Sequence, residues 1–554
     1  MKSTMRLGLV PVLATLMVGC PDNDDDKEET GVPVDTGMVE PETGDTDTGE
    51  PPVMAAFTLQ LLHFADVDGN EATALSNVPD FSALVDGFSN DETYGGASIL
   101  VSSGDNLIPG PRWFAAENSD VRSISGSNEP GNADHYIMNQ LGVVASVIGN
   151  HDLDQGPGEF ADAIQAESGG GADFPGTLFP YLAANIDFSQ ESDLTVGDAG
   201  ADVSTLGAQV AASATVVVDG ETIGLVGVST PQLPSITTTG ALVIDGSLDP
   251  ISELADAVQP AIDALADSGI DKIVVLAHLQ NLNNEKALAG ELENVDIIVA
   301  GGSNTRMGDS NDSLYPGDDA FAETYPFQTT NGDGDPLLIV NVDGDYKYLG
   351  RLVVGFDEDG VVMPELLDDT VSGVYAADAG DVATSGGTAN ADAVAMRDAL
   401  DGVIETQYDN VIGHTDVYLE GRRNNVRTEE TNLGNLTADA NKWYAQGCDG
   451  ITNVISLKNG GGIRAEIGEV SVEGDVTTLT PPANFGLPTA VEGDVSEGHF
   501  RGTLRFDNGL VVLDMTPTCG NSPSVMPGAA VATPCSRRVL SSMPVMSSTT
   551  SPLS

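Results

Sequence analysis

The sequence predicts a layered α/β fold with mixed sheets, followed by a smaller α+β domain. Three observations predict it. From Phe57 onward, short apolar runs alternate with amphipathic stretches, the pattern of strands and helices stacked in layers. Two apolar runs, 215–218 and 222–228, are joined by Asp219-Gly220, a turn that makes an antiparallel hairpin. A Gly-, Ala- and Asp-rich stretch from about Val371 to Asn390 separates these elements from the C-terminal part of the chain.

Taken in order, the apolar runs at 57–65, 98–103, 144–148, 272–277 and 296–300 read as buried strands, each followed by a loop. The stretches 77–88, 158–166 and 251–266 read as helices between them. A second strand-rich pair flanks Asp343-Gly344, which adds to the expectation of mixed sheets. The first domain is placed at 56–370 and a linker with a connecting helix, 391–407, at 371–408. The second domain spans 409–515.

The two ends differ from the middle. Lys2 and Arg6 precede an apolar run at 7–18 that is too short to span a bilayer and suits a signal peptide over residues 1–19. It ends in Val18-Gly19-Cys20, which resembles the lipobox of bacterial lipoproteins, with Cys20 as the lipidated residue. Residues 20–55 are then an acidic, self-repelling tether in which [DE]TG recurs at Glu29, Asp35, Glu42 and Asp47. The expected location is therefore the periplasm or cell surface, with membrane contact through the lipid alone. Overall, 85 acidic residues against 21 basic ones give a net charge of −64, a field that argues against a nucleic-acid polymer as partner. Residues 516–554 contain no Asp or Glu and hold two of the four cysteines. Such a break in composition reads as a disordered tail or the product of a different reading frame.

Chemistry concentrates where the strands end. The clusters are His63-Phe64-Ala65-Asp66-Val67-Asp68, Ser103-Gly104-Asp105-Asn106, Gly149-Asn150-His151-Asp152-Leu153-Asp154 and Ala277-His278. In open α/β sheets, ligands bind beyond the carboxyl ends of the strands, so the four should converge. Asp, Asn and His together supply donors for Mn, Zn, Fe or Mg. Any one cluster is commonplace, since a lone DxD is usually a loop, but four in order after four strands point to a metal centre.

This series resembles the calcineurin-type metallophosphoesterase domain of bacterial 5′-nucleotidases and UDP-sugar hydrolases. The second domain carries its own resemblance to that family. It lies in Gly421-Arg422-Arg423-Asn424-Asn425-Val426-Arg427, in Glu430-Thr431-Asn432-Leu433-Gly434-Asn435-Leu436, in Asn459-Gly460-Gly461-Gly462-Ile463-Arg464 and in Leu504-Arg505-Phe506-Asp507-Asn508. The resemblance implies a two-domain hydrolase that uses two divalent metal ions on 5′-nucleotides or similar phosphate esters. Asp105 would bridge the ions, Asp66 would bind one, and Asn150 and His278 the other. His151 would act on the transferred phosphoryl group or leaving oxygen, with Asp154 orienting its ring. Arg423, Arg427 and Arg464 would hold phosphate or carboxylate, and Phe506 would stack on a base with Asn508 beside it.

The chain departs from the family pattern in three places. Asp68 stands where the family commonly has a ligand His. The family's GGHSQ-like loop reads Gly301-Gly302-Ser303-Asn304, so Gly302 replaces another His and Asn304 a Gln. Carboxylate at 68 would favour harder metals, and the gap at 302 would need water, Asn304 or substrate oxygen. Finally, the family's second stacking aromatic and a substrate-binding Asp follow the Phe506 region, where this chain has residues 516–554, so the second domain is expected to be incomplete. The same centre would serve a cyclic-nucleotide phosphodiesterase or nucleotide-sugar hydrolase, and the altered ligands also suit a non-catalytic surface lipoprotein. A calcium-binding role for the Asp/Gly-rich pieces at 66–70 and 331–335 is weak, because neither completes a twelve-residue loop.

Overall fold

The structure, a computed structural model, describes residues 53–67, 71–167, 173–447, 454–473, 476–483, 491–506, 509–515 and 537–542. The expected signal peptide, Cys20 and nearly all of the tether lie outside the described residues, as do Asp68 and Asn508. Among the described residues no helix is long and apolar enough to cross a membrane.

Two seven-stranded sheets form the body of the first domain. The central strands of the first are Phe57–Phe64, Ser98–Ser102 and Val143–Val147, mutually parallel, with Tyr348–Phe356 antiparallel on the other side of Phe57–Phe64. The second centres on the parallel strands Glu221–Ser229, Ile273–His278, Ile297–Gly301 and Pro336–Val340. The hairpin expected around Asp219-Gly220 pairs Ser213–Val218 with Glu221–Ser229. Side chains alternate as a strand requires. Leu59 and Leu61 enter the core between the sheets, whereas Leu62 and Phe64 face the helices outside.

The helices cover the outer faces. Glu71–Ser89 begins earlier than the expected 77, carries Pro79 inside it, and buries Leu75, Val78, Phe81 and Leu84 against the first sheet. With Val85 and Phe88, also buried there, these positions recur at three- and four-residue spacing, the stripe that lies along one helix face. Ser252–Asp267 packs Leu254, Val258, Ile262 and Leu265 onto the second sheet.

Two connections differ from the sequence reading. Pro336–Val340 and Tyr348–Phe356, which flank Asp343-Gly344, lie in different sheets, so this segment carries the chain across the sandwich rather than around a hairpin. Strand–turn–strand patterning fixes neither partner, and here the partners are Ile297–Gly301 and Phe57–Phe64. Gly373–Ala376, read as linker, pairs antiparallel with Tyr348–Phe356 at the edge of the first sheet. Ala391–Asp409 then lays Ala393, Met396, Leu400 and Ile404 into the helical layer of the first domain.

The second domain is built on less. Among the described residues, its buried apolar cluster consists of Leu419, Leu433, Ile463 and Ile467. Asn432–Gln446 is its long helix, opened by the Thr431 side chain, which accepts from the Gly434 N–H, the usual way to satisfy a free amide in the first turn. Arg537–Ser542, in the span read as a tail, pairs parallel with Val454–Leu457 and antiparallel with Leu510–Met515. The rest of 516–554 lies outside the described residues.

Candidate active site

The strand-end clusters converge where the two sheets approach each other. Ser103 Oγ donates to the Ala300 carbonyl at 2.8 Å, joining the first sheet to the second. The approach demands glycine at 301, because a Cβ there would collide with the Ser103 carbonyl oxygen. Glycine is equally required at 149, where a Cβ would collide with Asp105 Oδ1. Asp66 and Asp105 both take positive φ, +56° and +54°, a conformation that Asp tolerates better than most residues and that turns each carboxylate off its strand end.

Asp66, Asp105 and His278 each bring one ligand atom into a group spanning no more than 4.8 Å, and all three are buried. His278 Nδ1 donates to the Ser103 carbonyl at 2.7 Å, which fixes the ring and leaves Nε2 as the nitrogen turned to the carboxylates. Nε2 lies 3.1 Å from Asp105 Oδ2 but outside hydrogen-bonding geometry, so it is a buried polar atom with no satisfied bond. Two buried carboxylates and an orphaned imidazole nitrogen with its far side anchored are a donor set that fits a divalent cation. The electrostatics agree. Burial alone would lower the pKa of His278, yet Asp105 and Asp66 raise it to about 10. The Asp105 carboxyl is held below its ordinary value by His278 and His151, against the opposing effect of burial. In effect, the pocket is built to hold positive charge.

The other expected ligands stand nearby. Gln280 Nε2 donates to Asn150 Oδ1 at 2.5 Å. Gly302 has no side chain to offer, but its N–H donates to both Asp66 carboxylate oxygens at 3.1 and 3.0 Å. The Asn304 side chain packs toward Gly344, which itself lies on Asp66. Donors for a first ion are thus assembled, whereas Asn150 is engaged by Gln280 and position 302 supplies no side-chain donor.

The expected dyad is present. His151 Nδ1 is 2.6 Å from Asp154 Oδ2, and Asp154 Oδ1 accepts from the Thr237 hydroxyl at 3.1 Å. The backbone N–H of His151 donates to Asp105 Oδ1 at 2.8 Å, so the segment bearing the dyad is tied to the carboxylate at the centre of the metal pocket. Asp152, between the two dyad residues and unmarked by the sequence, fastens the pocket from below. It accepts from the backbone N–H groups of Asp105, Asn106, Leu107 and Gly149. Burial and the neighbouring Asp105 push its pKa up to about 7. Arg112, fully buried and paired with Asp134 at 2.9 Å, donates to the Val67 carbonyl at 2.6 Å and so holds the loop after Asp66.

In the second domain, Arg423 and Arg427 share the short helix Arg423–Thr428. Partial desolvation lowers the pKa of Arg427, whose side chain is nonetheless exposed, and the charge of Arg423 lowers it further. Arg422 is taken up by Glu420, while neither Arg423 nor Arg427 forms an ion pair among the described residues. The Arg464 guanidinium lies 5.3 Å from the centre of the Phe506 ring. Gln155, one residue beyond Asp154, donates to the Phe506 carbonyl at 3.0 Å, which sets the turn that carries Phe506, not a strand, against the dyad loop.

The chain is similar to several known proteins. Residues 411–516 match the family model of the 5′-nucleotidase C-terminal domain. The trifunctional nucleotide phosphoesterase protein YfkN of Bacillus subtilis is 25% identical over 506 residues, covering 88% of this chain and 31% of that protein. The 5′-nucleotidase of Mus musculus is 31% identical over 343 residues, 60% of this chain and 52% of that one. This chain therefore spans about a third to about a half of the length of these curated relatives. Among solved structures, a 5′-nucleotidase precursor from Thermus thermophilus superposes with a TM-score of 0.57 at 27% identity, covering 83% of this chain and 76% of that one. The resemblance to bacterial 5′-nucleotidases and the layered α/β fold class are both borne out.

Proposed function

We propose that this protein is an exported, metal-dependent phosphohydrolase that converts 5′-nucleotides to nucleoside and phosphate at a centre of two divalent ions. The observation that carries the reading is the bond from the backbone N–H of His151 to Asp105 Oδ1 at 2.8 Å, which joins the segment bearing a His–Asp dyad to a buried Asp/Asp/His metal pocket. When bound, divalent cations would neutralise phosphoryl charge and activate the attacking water. Mn or Mg suits the carboxylate-rich set best, with Zn and Fe as the other candidates.

The residues of the chain do the rest. Asp66, Asp105, His278 and Asn150 hold the cations, with Asp68 and Asn304 as further proposed ligands. Asp154 engages His151 Nδ1, which reserves Nε2 for the transferred phosphoryl group or the leaving oxygen. Arg423, Arg427 and Arg464 bind the anionic end of the substrate, and Phe506 and Asn508 receive the base. Cys20 is the proposed lipid anchor.

Purified mature protein with Mn is expected to release phosphate from AMP or an aryl phosphate. No release with any divalent metal, or full activity in His151→Ala, would overturn the reading. A second reading, a non-catalytic surface lipoprotein, is favoured by one observation: Asn150 is bonded to Gln280 while Gly302 offers no side-chain ligand. Failure to take up any metal would favour it.

A further inference from the structure

We propose that Gln280 is a metal-binding residue that takes the place of the side chain absent at position 302. This rests on the reading that the pocket holds divalent ions.

Three observations place it there. A Cβ built on Gly302 would lie 2.7 Å from His278 Nε2 and 2.7 Å from Gln280 Nε2, so the Gln280 amide fills the space that a side chain at 302 would enter. That amide is also 2.5 Å from Asn150 Oδ1. Its head group therefore lies among the orphaned imidazole nitrogen, the Asn150 oxygen and the backbone of Gly302, itself bonded to Asp66. Finally, Gln280 holds a φ of +67°, a conformation that a residue with a Cβ seldom adopts. Such strain survives where the surroundings fix it, and it gathers at functional sites.

The chemistry of an amide suits the role. Gln carries one donor end and one acceptor end. With its nitrogen turned inward it donates to Asn150 Oδ1, satisfying that oxygen when no cation is present. A half-turn about its last torsion presents Oε1 instead and frees Asn150 Oδ1 at the same time. One side-chain motion thus exposes two neutral oxygen donors to the same point. Oxygen donors in place of an imidazole favour Mn or Mg over Zn.

The test is metal stoichiometry by elemental analysis after equilibrium dialysis against Mn, with affinity by calorimetry. Gln280→Gly is the informative variant, because glycine accepts the positive φ and the fold is kept, as an unchanged or higher Tm would verify. The wild type is expected to hold two Mn ions. Gln280→Gly is expected to hold one tightly and the second at least about tenfold more weakly, and Gln280→Glu to retain both. Wild-type stoichiometry and affinity in Gln280→Gly would overturn the proposal, as would a wild type that takes up a single ion. Phosphate release with that single ion would leave the proposed hydrolysis standing. Two ions without hydrolysis would instead remove the proposed activity and leave the ligand assignment intact.

Discussion

The pocket around Asp105 and the surface around Arg427 would act on one substrate, yet they are built by opposite means. Asp66, Asp105, Asn150 and His278 are buried, held by strand ends, glycine contacts and the four N–H bonds into Asp152. Arg423 and Arg427 are exposed on a short helix whose domain rests on Leu419, Leu433, Ile463 and Ile467. On the proposed function, stability and precision are invested where bonds would change. Binding would be delegated to a part whose described core is small. The difference predicts that the two regions fail differently.

The largest effect should come from the pocket. His151→Ala is expected to lower kcat by about 10²–10⁴-fold with little change in KM, the range for loss of a general acid or base. Steady-state kinetics on AMP would check this, and equal losses in kcat and affinity would break the proposed division of labour. Next in size, Leu433→Ala should cost about 2–5 kcal/mol in a cluster that, among the described residues, has four buried members. Hydrogen exchange should then show residues 411–446 opening while the metal pocket stays protected. Simultaneous opening of both would show that the small core is not independent.

Arg427→Ala should be smaller again and of the opposite kinetic kind. Loss of a charged hydrogen bond to the substrate, about 1.5–3 kcal/mol, should raise KM on the order of tenfold or more and leave kcat nearly unchanged. A last test concerns Glu285 and reads a slope against pH rather than a loss of function: burial raises its pKa to about 8, and its Oε1 accepts from the Leu279 N–H. A carboxyl raised in the folded state stabilises fully below its unfolded pKa and loses that contribution as pH rises through the folded value. Wild-type stability should therefore fall between about pH 4.5 and 8, and Glu285→Gln should flatten that slope in urea titrations at several pH values.

Much of the pocket was legible because its residues follow strands. Asp66, Asp105, Asn150, His151 and His278 each come directly after an apolar run that the sequence marks as buried, and the sheet does the rest. Gln280 was not legible. It belongs to no motif, and its position depends on a backbone turn with positive φ that nothing nearby in the sequence announces. Asp152 was visible but mute, since a carboxylate that collects backbone N–H groups reads the same as any loop Asp. The crossing of residues 341–347 between the sheets was hidden for a different reason: local pattern identifies a strand but not its neighbour. The same limit applies to Arg537–Ser542, whose apolar content is slight and whose strand depends on two partners.

That crossing also sets an order of events in time. Phe57–Phe64 finds its antiparallel neighbour in Tyr348–Phe356, and the Asp345 N–H donates to the Asp66 carbonyl at 3.0 Å. The first strand of the domain must therefore wait for nearly the last. At about 5–20 residues per second of synthesis, the interval is on the order of 15–60 s. Through that interval the segment bearing Asp66 lacks the wall that closes over it, so the finished pocket belongs only to a chain whose first domain has been made in full.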